Sequence, residues 1–309
     1  MAKLISNIVF TKNRPLQLHG YLESLRRFLP VEVIQTYILY KPELFDSEYG
    51  YCFSQFPDCR VVRETDFHYD LLNILERIDT PYVLFGIDDV VYFDSVPLDT
   101  IEKTFHYFQN DLFGFSLRLD ACQMPEDQQS GNLNQTELDD RTICTVDWTK
   151  GQSSNARYPF ELCATVYRTE TVRYILSEMM LQNKLIHRLF APSAPLTRLV
   201  GKIYPRRKLL KSLGYFFNPN TFESWACRYV QRHSGRFGRL LAFEKICASA
   251  IQVNMVNTST VNEVDDSAEL TVEALNAKYK QGWRLDIDWL SQNRPQATHA
   301  DAKYFRLKG

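Results

Sequence analysis

The chain is expected to fold as an α/β protein on a Rossmann-related, mostly parallel central sheet flanked by helices, with an elaborated C-terminal half. Three observations predict this. Strand-length apolar runs alternate with amphipathic helix-length runs through the first 120 residues. The most apolar of these runs, residues 81–87, ends directly in two acids, as a buried parallel strand does where it meets a ligand-binding edge. With 309 residues, 45% hydrophobic and 24% charged, the composition excludes disordered and fibrous classes and allows one large core.

The elements follow in order. Leu4 to Phe10 reads as a strand, broken by Thr11-Lys12-Asn13-Arg14-Pro15. Pro15 suits the first turn of a helix whose apolar positions are Leu16, Leu18, Leu22, Leu25 and Phe28. Val33 to Tyr40 is a second strand, Cys59 to Arg63 a short third, and Tyr69 to Ile78 a helix. Pro81 to Ile87 is the buried strand before Asp88-Asp89, completing a β-α-β-β-α-β succession. A helix from Pro97 to Phe108 and a strand from Leu112 to Leu119 follow, then a polar loop from Met124 to Asp140. Phe160 to Tyr167 reads as a strand and Thr169 to Met180 as a helix; near the end Thr271 caps a helix through Tyr279, with Gly282 as its stop. No internal repeat is present.

Charge is nearly balanced, 36 Lys+Arg against 37 Asp+Glu, so the whole molecule is no general polyanion binder. The balance hides a basic segment: residues 179–243 carry twelve basic side chains and the single acid Glu223. The seven cysteines are an odd number without a C-x-x-C pair and sit in apolar stretches. They read as reduced core cysteines of a cytosolic protein. No run reaches the roughly 18 apolar residues of a membrane span, and the N-terminal residues lack a signal-peptide core.

Two neighbouring carboxylates at the mouth of a sheet repel each other unless a cation lies between them, and oxygen ligands suit Mg²⁺ or Mn²⁺. A capped turn before Val90-Val91-Tyr92 is the bland alternative. In its block Asn7 to Pro15, and in Tyr82 to Asp89, the chain resembles the nucleotide-sugar-dependent glycosyltransferases of the GT-A fold, family 2-like, whose buried strand runs into an Asp-x-Asp (DxD) metal motif. Here the motif is Asp-Asp-Val. The resemblance implies one continuous catalytic domain, with residues 1–120 binding the nucleotide sugar and residues 121–309 the acceptor. It implies that Thr11, Lys12, Asn13, Arg14, Asp66 and Asp88 lie against the donor, and that Asp89, with the late His299 of the polar tail, holds Mn²⁺ or Mg²⁺.

Glycosyl transfer builds negative charge on the leaving diphosphate, which a divalent cation stabilises. If the reaction inverts, a carboxylate must take the acceptor proton. Glu223 at a helix start is the expected base, with Asp88 the second catalytic acid of the site; Glu161 and Asp147 are weaker rivals, and a helix-dipole role for Glu223 is the alternative. Residues 196–217 mix basic with apolar and aromatic side chains, which suits peripheral contact with an anionic membrane at roughly 1 kcal/mol per basic residue. No nucleic-acid motif accompanies this charge. The expectation is therefore a cytoplasmic enzyme on the inner membrane face that transfers sugar to a glycan or lipid-linked acceptor in bacterial surface polysaccharide synthesis. A sugar nucleotidyltransferase and a non-catalytic sugar-nucleotide or membrane-binding subunit compete with it. The glycine-free loop at 11–15 weighs against the former, and the absence of G-x-G-x-x-G, P-loop, H-E-x-x-H and G-x-S-x-G patterns lowers other enzyme classes.

Overall fold

A computed structural model describes residues 2–119, 134–150, 157–181, 215–254 and 268–309. The chain runs β1 (Ile5–Lys12), α1 (Pro15–Phe28), β2 (Ile34–Lys41), α2 (Asp46–Gln55), β3 (Arg60–Arg63), α3 (Phe67–Arg77), β4 (Tyr82–Ile87), β5 (Val90–Tyr92), α4 (Leu98–Phe108) and β6 (Leu112–Ser116). Then come β7 (Asn134–Leu138), β8 (Arg141–Val146), β9 (Thr165–Arg168), α5 (Thr169–Leu181), α6 (Pro219–Arg232), β10 (Arg239–Phe243) and β11 (Ala248–Ile251). The last described elements are α7 (Val272–Lys280), β12 (Arg284–Leu285), α8 (Ile287–Gln292), β13 (His299–Ala300) and β14 (Leu307–Lys308).

Nine strands form one sheet in the order β3-β2-β1-β4-β9-β6-β10-β8-β7. β3, β2, β1 and β4 pair in parallel, as β6 and β10 do; β9 and β8 run against their neighbours. Seven of the nine strands therefore point one way, and the expected α/β class with a mostly parallel sheet holds. Alternate residues of β1 and β4 enter opposite cores: Val9 and Leu84 pack with α1, α2, α4, α7 and α8, while Ile8, Phe10 and Phe85 pack with α3, α5 and α6. A second sheet, β13-β11-β5, starts directly after Asp89 and draws the C-terminal residues to the carboxyl edge of β4.

Several expectations need correction. The stretch between the second and third strands holds a helix, α2, so the opening is β-α-β-α-β-α-β. Its buried face is narrow, Glu48, Tyr49 and Cys52, and its cap position Phe45 is left-handed, so neither periodicity nor a capping residue marked it. The polar loop assigned to residues 124–140 contains β7, whose hairpin turn is Asp139-Asp140, both at positive φ. The strand read over Phe160–Tyr167 is confined to β9, because residues 160–164 form the turn that brings Ala164 N–H to the Phe85 carbonyl. Cys144 in β8 is disulfide-bonded, its partner lying outside the described residues; Cys52, Cys59, Cys163, Cys227 and Cys247 are free. An odd count conceals a single pair, so the reading of all seven as reduced fails. Among the described residues no helix is long and apolar enough to cross a membrane. Residues 182–214, which hold most of the basic segment and the whole region 196–214 of the membrane expectation, lie outside them.

The α1 face rests on β4 through a gap left by Gly86. A Cβ there would come within 2.2 Å of the Tyr21 hydroxyl, and Tyr21 is fully buried, its hydroxyl donating to Asn7 Oδ1 at 2.7 Å. Gly86→Ala is expected to lower stability by about 1–3 kcal/mol through overpacking, read as a lower urea midpoint. An unchanged midpoint would contradict this packing.

Candidate active site

β1 and β4 run in parallel with Phe10 beside Ile87, so both chains leave the sheet side by side and Thr11 meets Asp88. Asn13 turns the chain at positive φ, and its Oδ1 accepts the Glu43 and Leu44 N–H groups at 3.1 and 2.9 Å. Arg14 then caps α1 with Pro15 behind it, and donates its backbone N–H to the Tyr49 hydroxyl at 2.9 Å. This backbone fixes a buried guanidinium. Arg14 Nη1 lies 3.0 Å from Asp88 Oδ1 and 3.5 Å from Asp89 Oδ2. Its outer edge is held by Asn254, with Nε donating to Oδ1 at 2.8 Å and Nη2 to the carbonyl.

Asp88 is saturated, because its Oδ2 also accepts from Thr11 Oγ1 at 2.8 Å and the Lys12 N–H at 3.4 Å. Asp89 is not. Its Oδ1 is buried and without a hydrogen-bond partner among the described residues. Burial raises both carboxyls and Arg14 opposes the rise; Asp89, further raised by Asp88, stands at about 6.

A second set of charges adjoins the first. Arg118, just past β6, is buried and donates to Glu161 Oε2 through Nε (3.0 Å) and Nη2, to the Cys163 carbonyl (3.0 Å) and to the Thr298 carbonyl (3.2 Å). Its Nη1 also lies 3.3 Å from His299 Nε2. Glu161 Oε1 takes the Ser116 hydroxyl at 3.1 Å and the Thr165 hydroxyl. Glu223, in the second turn of α6, accepts the Leu162 N–H at 2.9 Å and hydrogen-bonds with the Tyr158 side chain. Desolvation pushes its carboxyl up to about 7, with the negative Glu161 adding and Arg118 opposing. Burial pushes the Cys163 thiol up, with Arg118 opposing and the negative Glu223, Glu161 and Asp89 adding.

Thr11, Arg14, Asp88 and Asp89 thus converge, while three other residues expected to contact the donor bond elsewhere through their side chains. Lys12 pairs with Glu43 at 2.9 Å, Asn13 pins residues 43–44, and Asp66 caps α3 through the Tyr69 N–H and receives the Tyr215 hydroxyl. His299 lies across the small sheet from the acidic pair: Ala250 is in register with both His299 and Val90, a separation of about 10 Å at ordinary strand spacing. Its exposed ring is nevertheless partly desolvated against Arg118, and these two causes lower its pKa to about 4, leaving a neutral imidazole. Among the described residues no three acidic, histidine or cysteine groups converge as a metal cage. A divalent ion that keeps positions for phosphate oxygens needs only one or two carboxylates, and the orphaned Asp89 Oδ1 fits that demand.

Sequence reasoning missed Arg118, Asn254 and Tyr49. Arg118 was within reach of the rule that ligands gather beyond strand ends, since it follows β6 by two residues. Tyr49 sits on the unrecognised α2, and Asn254 is 240 residues from the arginine it holds, a pairing that no local pattern encodes.

No family model matches the chain. The bifunctional glycosyltransferase pgtA of Dictyostelium discoideum is 22% identical over 192 residues, which are 55% of this chain and 24% of that protein. The chain thus spans about a quarter of that curated relative's length. Among solved structures, TarS of S. aureus aligns over 57% of this chain and 29% of its own, at 14% identity and a TM-score of 0.39. TarS residues 1–349 in complex with UDP-GlcNAc aligns over 57% and 47%, at 14% identity and a TM-score of 0.38. The resemblance to nucleotide-sugar-dependent glycosyltransferases read from the opening loop and the acidic strand end is thus met by similarity to a curated glycosyltransferase.

Proposed function

We propose that the chain is an inverting glycosyltransferase that moves a sugar from a nucleoside-diphosphate sugar to a hydroxyl of a glycan or lipid-linked acceptor, in surface polysaccharide synthesis. The observation that carries this is the adjacency of two unlike acid clusters. One holds a guanidinium and an unpaired carboxylate oxygen beside a sheet edge. The other holds a carboxyl, Glu223, that forms no ion pair among the described residues.

In this reading Asp89, through Oδ1, is the residue that would hold Mn²⁺ or Mg²⁺; the ion supplies charge neutralisation for the departing diphosphate. Arg14 adds positive charge to the same edge, and Thr11 with the Lys12 N–H keeps Asp88 oriented toward it. His299, a neutral imidazole about 10 Å across the small sheet at ordinary strand spacing, is proposed as a further ligand once Arg118 releases its ring. The backbone of the loop 11–14 and the start of α3 at Asp66 are proposed to border the nucleoside, the side chains of Lys12, Asn13 and Asp66 being held by their own partners.

Glu223 is the base. It accepts the acceptor hydroxyl's proton as that oxygen bonds to the anomeric carbon and the bond to the diphosphate breaks. Its rivals are less suited. Glu161 is committed to Arg118 and two hydroxyls, and Asp147 is held below the usual range by Thr149 and Lys150 despite its partial burial. The basic segment 179–243 is proposed to meet an anionic membrane surface that carries the acceptor.

Two outcomes test the reading. Because the ionised form of Glu223 accepts the proton and its pKa lies at about 7, kcat/KM should climb as pH rises through 7 and level off above it. Glu223→Gln should abolish that limb and lower turnover by about 10²–10⁴-fold; full turnover with the limb intact would remove Glu223 as base. Asp89→Asn should abolish metal-stimulated cleavage of the sugar nucleotide while the chain stays folded, since Arg14 keeps its closer partner Asp88 at 3.0 Å and loses only the 3.5 Å contact to Asp89 Oδ2. Metal stimulation that survives in this variant would contradict the role of Asp89.

A further inference from the structure

The charges around Asp88 and Asp89 do not balance, and the imbalance has a direction. Two carboxylates face one guanidinium, and all three side chains are nearly enclosed, with 5%, 12% and 9% of their surfaces exposed. Arg14 occupies the position between the acids that a cation would otherwise take. It cannot drift away freely, because Asn254 holds its outer edge through two acceptors and Tyr49 holds its backbone. A divalent ion arriving alone at Asp89 Oδ1 would sit beside this fixed positive group, giving three positive charges against two negative ones in a poorly solvated space. A diphosphate arriving with the ion reverses the excess.

From this geometry we infer that Arg14 is an internal counter-ion that withholds the Asp88–Asp89 pair from a divalent cation until a nucleoside diphosphate supplies compensating negative charge. The inference rests on the reading that Asp89 holds the ion. It makes Arg14 the residue that couples two binding events: metal favours nucleotide and nucleotide favours metal by the same factor. Thr11, Tyr49 and Asn254 are positioning residues for it. The consequence is an ordered site, which avoids sequestering free metal and presents its bound ion only with the donor.

The test is Mn²⁺ binding to the full chain, followed by the loss of the free-ion paramagnetic resonance signal, with Mn²⁺ alone and with Mn²⁺ plus saturating UDP or GDP, corrected for chelation by the nucleotide in buffer. For the wild-type chain, affinity should rise at least about 100-fold with one of the nucleotides. Arg14→Met should tighten nucleotide-free Mn²⁺ binding by about tenfold or more and shrink the coupling by the same factor, while Arg14→Lys, which keeps the charge, should stay near the wild type. Adding Asp89→Asn to Arg14→Met should remove the gain. Should Arg14→Met fail to fold, Asn254→Ala, which removes the Nε–Oδ1 bond and leaves the bond to the residue-254 carbonyl, should tighten nucleotide-free binding about threefold. Equal wild-type affinity with and without nucleotide, or an Arg14→Met chain that folds and binds free Mn²⁺ no more tightly, overturns the counter-ion role and leaves the metal reading standing. Absence of Mn²⁺ binding in every chain, with nucleotide present, overturns the metal reading itself.

Discussion

The structure turns on one buried arrangement, the Arg14 guanidinium set between the carboxylates of Asp88 and Asp89. Desolvation raises the pKa of each acid and would discharge an isolated pair. With Arg14 present the acids remain an electrostatic resource at the sheet edge. The cation expected between them from the sequence is supplied, in this chain, by a side chain only 74 residues away on the neighbouring strand's loop. That changes the question about a metal from whether the acids need a cation to what a second cation would have to bring with it.

The fold explains why these groups meet. Parallel pairing of β1 with β4 brings two carboxyl ends together, and Pro15 starts α1 so soon after β1 that Arg14 is confined to the turn. The three-stranded sheet does the corresponding work for the second half. β5 leaves Asp89, β11 pairs with it, and β13 pairs with β11, so residues 298–299 arrive beside Arg118. Arg118 then acts as a pivot between halves, bonding to Glu161, to two backbone carbonyls and to His299. Its buried charge is paired with the Glu161 carboxylate. Glu223, which accepts the Leu162 N–H and forms no ion pair with Arg118 among the described residues, has its carboxyl pushed up to about 7 chiefly by burial.

Much of this was legible in the sequence where physics is local. Alternating and continuous apolar runs located β1, β2, β3 and β4, Pro15 located α1, and Thr271 with the positive-φ Gly282 bounded α7. The acidic pair announced itself because it ends the most apolar strand, and Glu223 because it is alone among basic residues. What stayed hidden depends on distant pairing. The Arg14–Asn254 contact, the Arg118–Glu161 ion pair and the bonding of Cys144 join residues that share no periodicity or spacing rule. α2 escaped because its buried face is three side chains wide, and β7 because an edge strand of polar residues looks like a loop. Lys12, Asn13 and Asp66 were grouped with Arg14 because the glycosyltransferase resemblance implies it; that capping and ion pairing engage their side chains was not legible.

The central claim is that the Arg14–Asp88–Asp89 edge is a nucleoside-diphosphate site. The most direct measurement is thermal unfolding of the wild-type chain against a panel of nucleoside diphosphates, each with and without Mn²⁺, in parallel with Asp88→Asn. A ligand at a hundred times its dissociation constant adds about 2.7 kcal/mol, which corresponds to roughly 4 °C in Tm for a chain of this size. The account expects such a rise for at least one nucleoside diphosphate with Mn²⁺, and its loss in Asp88→Asn. No rise with any member of the panel, or an equal rise in the variant, would contradict it.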